Sequence, residues 1–380
     1  MPPKIRILLL GPLPPPYSGP EIMTEALVAG LRGADAFEIC HLNTQVSRTL
    51  AEKGGRNQLR KSFAGLAQAA RAVWMLLTFK PQVVYLPLTN SPSFLGFLRD
   101  STFMVPALAA QCRLAMRLHG GFYYYAHARG LRRRWVAALL RRVSLAMVQS
   151  DHLRECFQGL VPAERIVVVP NGLDRQPFVE AHRRQALGAG HARPRQILFV
   201  GLLVKEKGYR DVLAAVPLVP DAHFVFAGEW PSPREQRDVE AWVEAHGLAE
   251  RVHFVGVVTG PAKHDLFAGS AAFVFPSYYR YEGHAVSSVE ALAAGLPIVC
   301  TQHGALDESV RDGWNGFFVP PSNPEAIAHC LNQLLGDDAL RRQMAQRSLQ
   351  LYEERFTLPA FIENWSRAIR RVAPSSPSFE

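Results

Sequence analysis

The sequence predicts an α/β fold of two doubly wound, Rossmann-like domains. Three observations predict it. Short apolar runs alternate with helical patterns along nearly all of the 380 residues. The alternation occurs twice, before and after a polar stretch near the middle of the chain. The length also exceeds that at which a single core keeps growing, so two domains are the default.

In the first domain, residues 1–176, the runs "IRILLLG", "FEICHLN", "PQVVYLP", "CRLAMRLHG", "SLAMVQS" and "RIVVVPNG" read as buried strands. They are largely apolar, as strands covered by helices on both sheet faces are. Helical patterns fall at Pro20–Arg32, Leu59–Phe79, Leu131–Val143 and Asp151–Gly159. Residues 177–196, "PFVEAHRRQALGAGHARPRQ", are polar, basic and rich in Gly, Pro and Ala, which predicts a linker or hinge. The second domain, residues 197–356, repeats the pattern with "QILFVG", "AHFVFAG", "RVHFVG", "AAFVFPS", "PIVCT" and "NGFFVP". A last helix over 357–373 and a frayed tail over 374–380 complete the chain.

Composition narrows the function classes. With 48% apolar and 20% charged residues the chain reads as globular, and no apolar run nears the ~18 residues that cross a bilayer. "IRILLL" is too short for a signal peptide and reads as a first strand. The five cysteines are odd in number and never form C-x-x-C, which suits reduced thiols in a cytoplasm and argues against a disulfide scaffold or zinc site. The net charge of +9 is uneven: through Arg175 there are 22 Lys+Arg against 10 Asp+Glu. A basic first half points to an anionic partner, a membrane surface or a nucleic acid, or else to a solvated basic face.

The chain lacks both G-x-G-x-x-G and the G-x-x-x-x-G-K-[ST] loop, which argues against a dinucleotide or P-loop site. "YEGHAVSSVEALAAGLPIV", Tyr281–Val299, carries a different pattern. A helix starting near Ser287 would aim free N–H groups at an anion such as a diphosphate. Gly283 and Ala285 let a ligand approach the backbone. Glu290, about one turn further in, can accept hydrogen bonds from a ribose diol, and Glu282 can meet whatever the phosphates carry. A diphosphate between two hydroxyl-binding acids describes a nucleotide sugar. The plainer reading of either acid is a first-turn carboxylate complementing the helix dipole.

Ordered motifs then carry a resemblance over nearly the whole chain: "GPLPPPYSGPE", "LHGGF", "VVPNGLD", "VGLLVKEKGYRDVLAA", "FVFAGE", "HFVGVV", "VFPSYYRYEGHAVSSVEALAAGLPIV" and "ESVRDGWNGFFVPPSNPEAIAHCL". The sequence resembles a retaining glycosyltransferase of family 4, with the GT-B fold of two Rossmann-like domains facing across a cleft. The resemblance implies that Glu282 contacts the donor sugar and Glu290 the ribose, while the backbone of His284, Ala285, Val286 and Ser287 holds the distal phosphate. It implies that Lys207 neutralises the departing diphosphate, that Gly19 and Gly201 line the diphosphate channel, and that His119 sits by the transferring carbon. It also implies a last helix crossing back to the first domain. The implied reaction moves a hexose with retained configuration, UDP being the first carrier and GDP the second. No cofactor or metal is implied beyond the nucleotide sugar, and no D-x-D is present.

Some positions depart from the family pattern. Leu202 stands where an arginine is usual, with Lys205, Arg280 or a first-half arginine as alternatives. Pro20 replaces a common glycine. His284 replaces an aromatic residue and is read as touching the donor rather than packing.

"RGLRRRWVAALLRRVSLAM" combines Arg132, Arg133 and Arg134 with Trp135 at helical spacing, as a helix lying on an anionic membrane does. The alternative is a helix that packs its apolar face on the first sheet. The proline-rich N-terminal loop resembles enzymes of exopolysaccharide and lipopolysaccharide assembly. The expectation is a cytoplasmic enzyme, peripheral on the inner membrane face, acting on a lipid-linked or polysaccharide acceptor of the cell envelope. Nucleic acid is not an expected partner, because no stacking platform or recognition helix is evident. The rival readings are a sugar-nucleotide epimerase or hydrolase of the same fold, and a catalytically impaired nucleotide-sugar-binding protein.

Overall fold

Two runs of β-branched and aliphatic residues dominate the cores, and each forms an all-parallel six-stranded sheet. The computed structural model describes residues 3–46, 58–88, 94–120, 128–188 and 195–373. It divides into one unit of Met1–Asn171 with Leu358–Glu380 and a second of Gly172–Thr357.

The first unit contains β1 (Ile5–Gly11), α1 (Gly19–Leu31), β2 (Phe37–Asn43), α2 (Gln58–Phe79), β3 (Val83–Pro87), α3 (Phe94–Ala109), β4 (Arg113–Arg117), α4 (Gly130–Leu140), β5 (Leu145–Val148) and β6 (Ile166–Val168). Its strand order is β2-β1-β3-β4-β5-β6, so the order reverses beside β1. Ile7, Leu8, Leu9, Val83 and Val84 are fully buried, as strands covered on both faces require. The helix expected over Asp151–Gly159 is instead a single 3-10 segment, His152–Phe157.

The second unit contains α5 (Gln176–Gly188), β7 (Gln196–Val200), α6 (Tyr209–Ala215), β8 (His223–Ala227), α7 (Pro233–Ala245), β9 (Val252–Gly256), α8 (Gly260–Ala268), β10 (Ala272–Phe275), α9 (Val286–Ala293), β11 (Ile298–Cys300), β12 (Gly316–Phe318), α10 (Pro324–Gly336) and α11 (Asp338–Arg355). The order is β12-β11-β10-β7-β8-β9. β7 and β10 are therefore the strands between which the winding reverses, and ligands of open α/β sheets bind beyond the carboxyl ends of such a pair. Helix starts follow local chemistry: Asn323 accepts from the Ala326 N–H at 2.8 Å and Asp337 from the Leu340 N–H at 2.9 Å.

The linker expected over 177–196 is corrected by α5. Its polar residues sit on one side of a helix whose other side buries Phe178, with ring centroids 4.8 Å from His264 and 5.8 Å from Phe267 on α8. Its Pro177 and Gly188 stand at the two ends of the helix, where both residues are tolerated; residues 189–194 lie outside the described residues. The final helix, α12 (Leu358–Arg370), groups with the first unit. Its Trp365 is fully buried, edge-on to Tyr85 at 5.3 Å and Phe37 at 5.9 Å.

Candidate active site

The switch-point strands place two site residues on each other. The 3-10 turn after β7 carries Lys207, and the loop after β10 carries Glu282. Lys207 Nζ donates to both carboxylate oxygens of Glu282, at 2.8 and 2.7 Å. The side chains are only 16% and 6% exposed, so the pair lies largely out of water and each charge depends on the other. Ser277 Oγ donates to Glu282 as well, and Thr301 Oγ1 holds the Ser277 carbonyl. The ammonium lies 5.3 Å from the Phe275 ring centre and 5.0 Å from that of Tyr279, an aromatic surround that favours a cation.

Two glycines fix this arrangement. Gly208 has φ +81°, and a Cβ there would meet the Pro276 carbonyl oxygen at 2.3 Å. Gly304 has φ +62°, and a Cβ there would lie 2.6 Å from the Glu282 carbonyl oxygen. Any side chain at either position would displace one member of the pair.

Glu290 stands on α9 and forms an ion pair with Lys263 of α8, the two side chains being 8% and 14% exposed. The amino end of α9 has Ala285 as its N-cap, no side chain caps it, and its first turn holds no acid. Its N–H groups and partial positive charge are thus available to an anion near Glu282. The side chain of His284 behaves differently from the sequence expectation. It is buried, its Nε2 is 2.8 Å from Ser309 Oγ, and its ring lies 5.0 Å from that of Phe356. Ser309 in turn meets Ser288 Oγ at 2.8 Å. His284 therefore turns its side chain inward, against Ser309 and Phe356, instead of reaching out of the loop.

Gly201 directly follows β7. Leu202, Lys205 and Arg280 do not join the Lys207–Glu282 contact, and Lys205 and Arg280 are exposed. Gly19 opens α1 in the first unit, after the N-cap Ser18. Beside it, Glu21 is buried and accepts from Gln45 Nε2 at 2.8 Å.

His119 lies just past β4 and is 9% exposed. Burial, reinforced by the neighbouring Arg117, holds its imidazole well below the usual range, so it is neutral at neutral pH. Among the described residues its Nε2 has no hydrogen-bond partner. Arg117 is 1% exposed, donates to Asn171 Oδ1 at 2.9 Å, and leaves Nε and one terminal nitrogen without partners. Arg132, Arg133, Arg134 and Trp135 lie on the outer side of α4, while Val136, Leu139 and Leu140 pack inward.

Sequence reasoning missed Ser277 and Lys263. Ser277 ends the quoted "VFPS", and its position at the carboxyl end of a switch strand was a usable signal. Lys263 offered none, because its partner is 27 positions away.

Residues 187–350 match the family described as "Glycosyl transferases group 1". Over that stretch, which is less than half of its length, the chain is similar to group 1 glycosyltransferases. The chain is 29% identical over 213 residues to a glycogen synthase of Mycobacterium tuberculosis, covering 55% of this chain and 48% of that protein. It is 30% identical over 201 residues to the D-rhamnosyltransferase WbpZ of Pseudomonas aeruginosa, covering 51% and 50%. It thus spans about half the length of the curated relatives it matches. Among solved structures, Anabaena Alr3699/HepE in complex with UDP superposes with a TM-score of 0.73 at 19% identity, covering 97% of this chain and 100% of that one. Sucrose-phosphate synthase from Thermosynechococcus elongatus gives 0.75 at 20% identity, over 97% and 99%. These two show that the chain has the two-domain α/β fold expected from its sequence.

Proposed function

We propose that the protein transfers a hexose from a nucleotide diphosphate sugar, UDP first, to a hydroxyl of a lipid-linked or envelope saccharide, with retained anomeric configuration and without a metal. The Lys207–Glu282 pair at the β7–β10 switch point, beside the uncapped end of α9, carries this reading. Diphosphate oxygens meet the α9 N–H groups and the Lys207 ammonium. As the glycosidic bond breaks, negative charge grows on the leaving phosphate, and a cation already fixed by Glu282 and two aromatic rings stabilises it without reorganising. Glu282, anchored by Ser277 and Lys207, keeps lone pairs for hydroxyls of the sugar. Glu290, ion-paired with Lys263, accepts from the ribose hydroxyls. Neutral His119 offers its Nε2 to an acceptor or sugar hydroxyl. The UDP in the Anabaena complex favours uridine among carriers. The same positions also suit a sugar-nucleotide hydrolase, which releases nucleotide without an acceptor.

A thermal-shift panel of UDP, GDP and ADP sugars tests the donor, because ligand bound only to the folded state raises its melting temperature. A shift with one of the three supports the reading. No shift with any of them at millimolar concentration removes it.

A further inference from the structure

Ten of the fourteen exposed large apolar side chains among the described residues lie on α2, α3 and α4. The three helices are neighbours, α2 packing on α3 and α3 on α4. On α2, Phe63, Leu66, Trp74 and Leu77 are each more than 60% exposed and fall within one arc of the helix. They form a stripe about 21 Å long at 1.5 Å per residue. Leu95, Leu98 and Val105 repeat the pattern on α3. A groove of about 510 Å³ lined by Phe94, Leu131, Arg132, Arg134, Trp135 and Ala138 continues it onto α4. The indole N–H of Trp135 donates to Ser101 Oγ at 3.1 Å, which leaves the ring standing at the surface. Soluble surfaces scatter such residues singly; three adjacent helices presenting them together call for a cover.

Charge identifies the cover. The three helices contain seven Lys and Arg and a single acid, Asp100, which is buried. A second copy of this face would set cations against cations. An anionic bilayer meets both features: phosphates for the arginines, and an apolar layer beneath them for the stripe. None of the described helices is long and apolar enough to cross a membrane, so contact is in the plane of the surface.

We propose that α2, α3 and α4 dock the protein on an anionic membrane surface. Phe63, Leu66, Trp74 and Leu77 enter the boundary between headgroups and acyl chains, and Arg132, Arg133 and Arg134 bind lipid phosphates. This deepens the reading of a lipid-linked acceptor, but rests on that reading only for its purpose. It also moves the main contact from α4, where the sequence put it, to α2.

Flotation of the full chain with vesicles of about 30 mol% phosphatidylglycerol in phosphatidylcholine tests it, against phosphatidylcholine alone. The protein floats with the anionic vesicles. Trp74→Ser/Leu77→Ser lowers the bound fraction about tenfold even at low salt, while Arg132→Gln/Arg133→Gln/Arg134→Gln gives a weaker loss, which added salt also produces in the wild type. Failure to float, or unchanged flotation of the Trp74/Leu77 variant, overturns the proposal. So does a dimer in sedimentation that this variant abolishes, which assigns the surface to a second copy. Donor-induced thermal shifts, run on the same proteins, confirm that the variants are folded. They also separate the two readings: flotation without a donor shift keeps the membrane surface and discards the transferase chemistry.

Discussion

Beyond β7 and β10 both buried carboxylates are matched by lysines, Glu282 by Lys207 and Glu290 by Lys263. Beyond β4 and β5 of the first unit Arg117 and Gln149 both donate to Asn171, yet two Arg117 nitrogens, His119 Nε2 and Ser150 Oγ have no hydrogen-bond partner among the described residues. The two sheets share parallel winding, so their strand chemistry does not create this contrast. The difference teaches that the second unit is organised in advance around paired charges, as the proposed diphosphate site would require. The first unit tolerates unfilled hydrogen-bonding capacity at the corresponding edge, which suits a partner bearing hydroxyls. The family match over residues 187–350 falls on the charge-matched unit.

The comparison breaks first at Lys207. Lys207→Met is expected to lower the transfer rate about 10²–10³-fold, the usual effect of removing one preorganised group from developing charge. Initial rates with the donor found in the thermal-shift panel check this, and a loss below about tenfold would move the leaving-group role elsewhere.

A paired measurement sharpens it. Lys263→Met strands Glu290 and is expected to destabilise by about 2 kcal/mol, less than the ~3–5 kcal/mol of a wholly dry pair because both side chains keep some water. Arg117→Met removes a buried guanidinium that has no carboxylate partner, so it is expected to change stability by less than about 1 kcal/mol. Urea midpoints of the two variants give the answer. Equal losses would show that the two edges are balanced alike.

The smallest effect concerns His119. Its folded pKa is depressed below the ordinary 6.5, chiefly by burial. Below pH 6.5 the unfolded chain takes up a proton that the folded unit refuses, so this group's contribution is complete above pH 6.5 and is lost as the pH falls toward its folded pKa. The loss is about 1.4 kcal/mol per pH unit until the folded group titrates. His119→Asn should therefore flatten the acid side of the stability curve, measured as urea midpoints at about pH 5.5 and 7.5. Parallel curves for both proteins would show that His119 protonates in place.

Much of the fold was legible because apolar strand runs and helical spacing are local signals. All twelve described strands lie within stretches identified from the sequence. Helix α5 was not legible, since its inner side is defined by residues far along the chain, His264, Asp265 and Phe267 on α8 and Ala294 at the end of α9. At the site, Glu282, Glu290 and Lys207 could be singled out by spacing and resemblance. Their contacts could not, because Lys207 meets Glu282 across 75 positions and Lys263 meets Glu290 across 27.

The sequence alone determined the α/β class, the two windings, the acids flanking the α9 start and the basicity of the first half, all of which follow from residue type and local order. Only the tertiary structure decided that His284 turns inward, that each site acid has a lysine, and that α2 and α3 expose an apolar surface. The reason is physical: which side of a helix meets water, and which charges meet each other, depends on groups the chain brings together from far along its length.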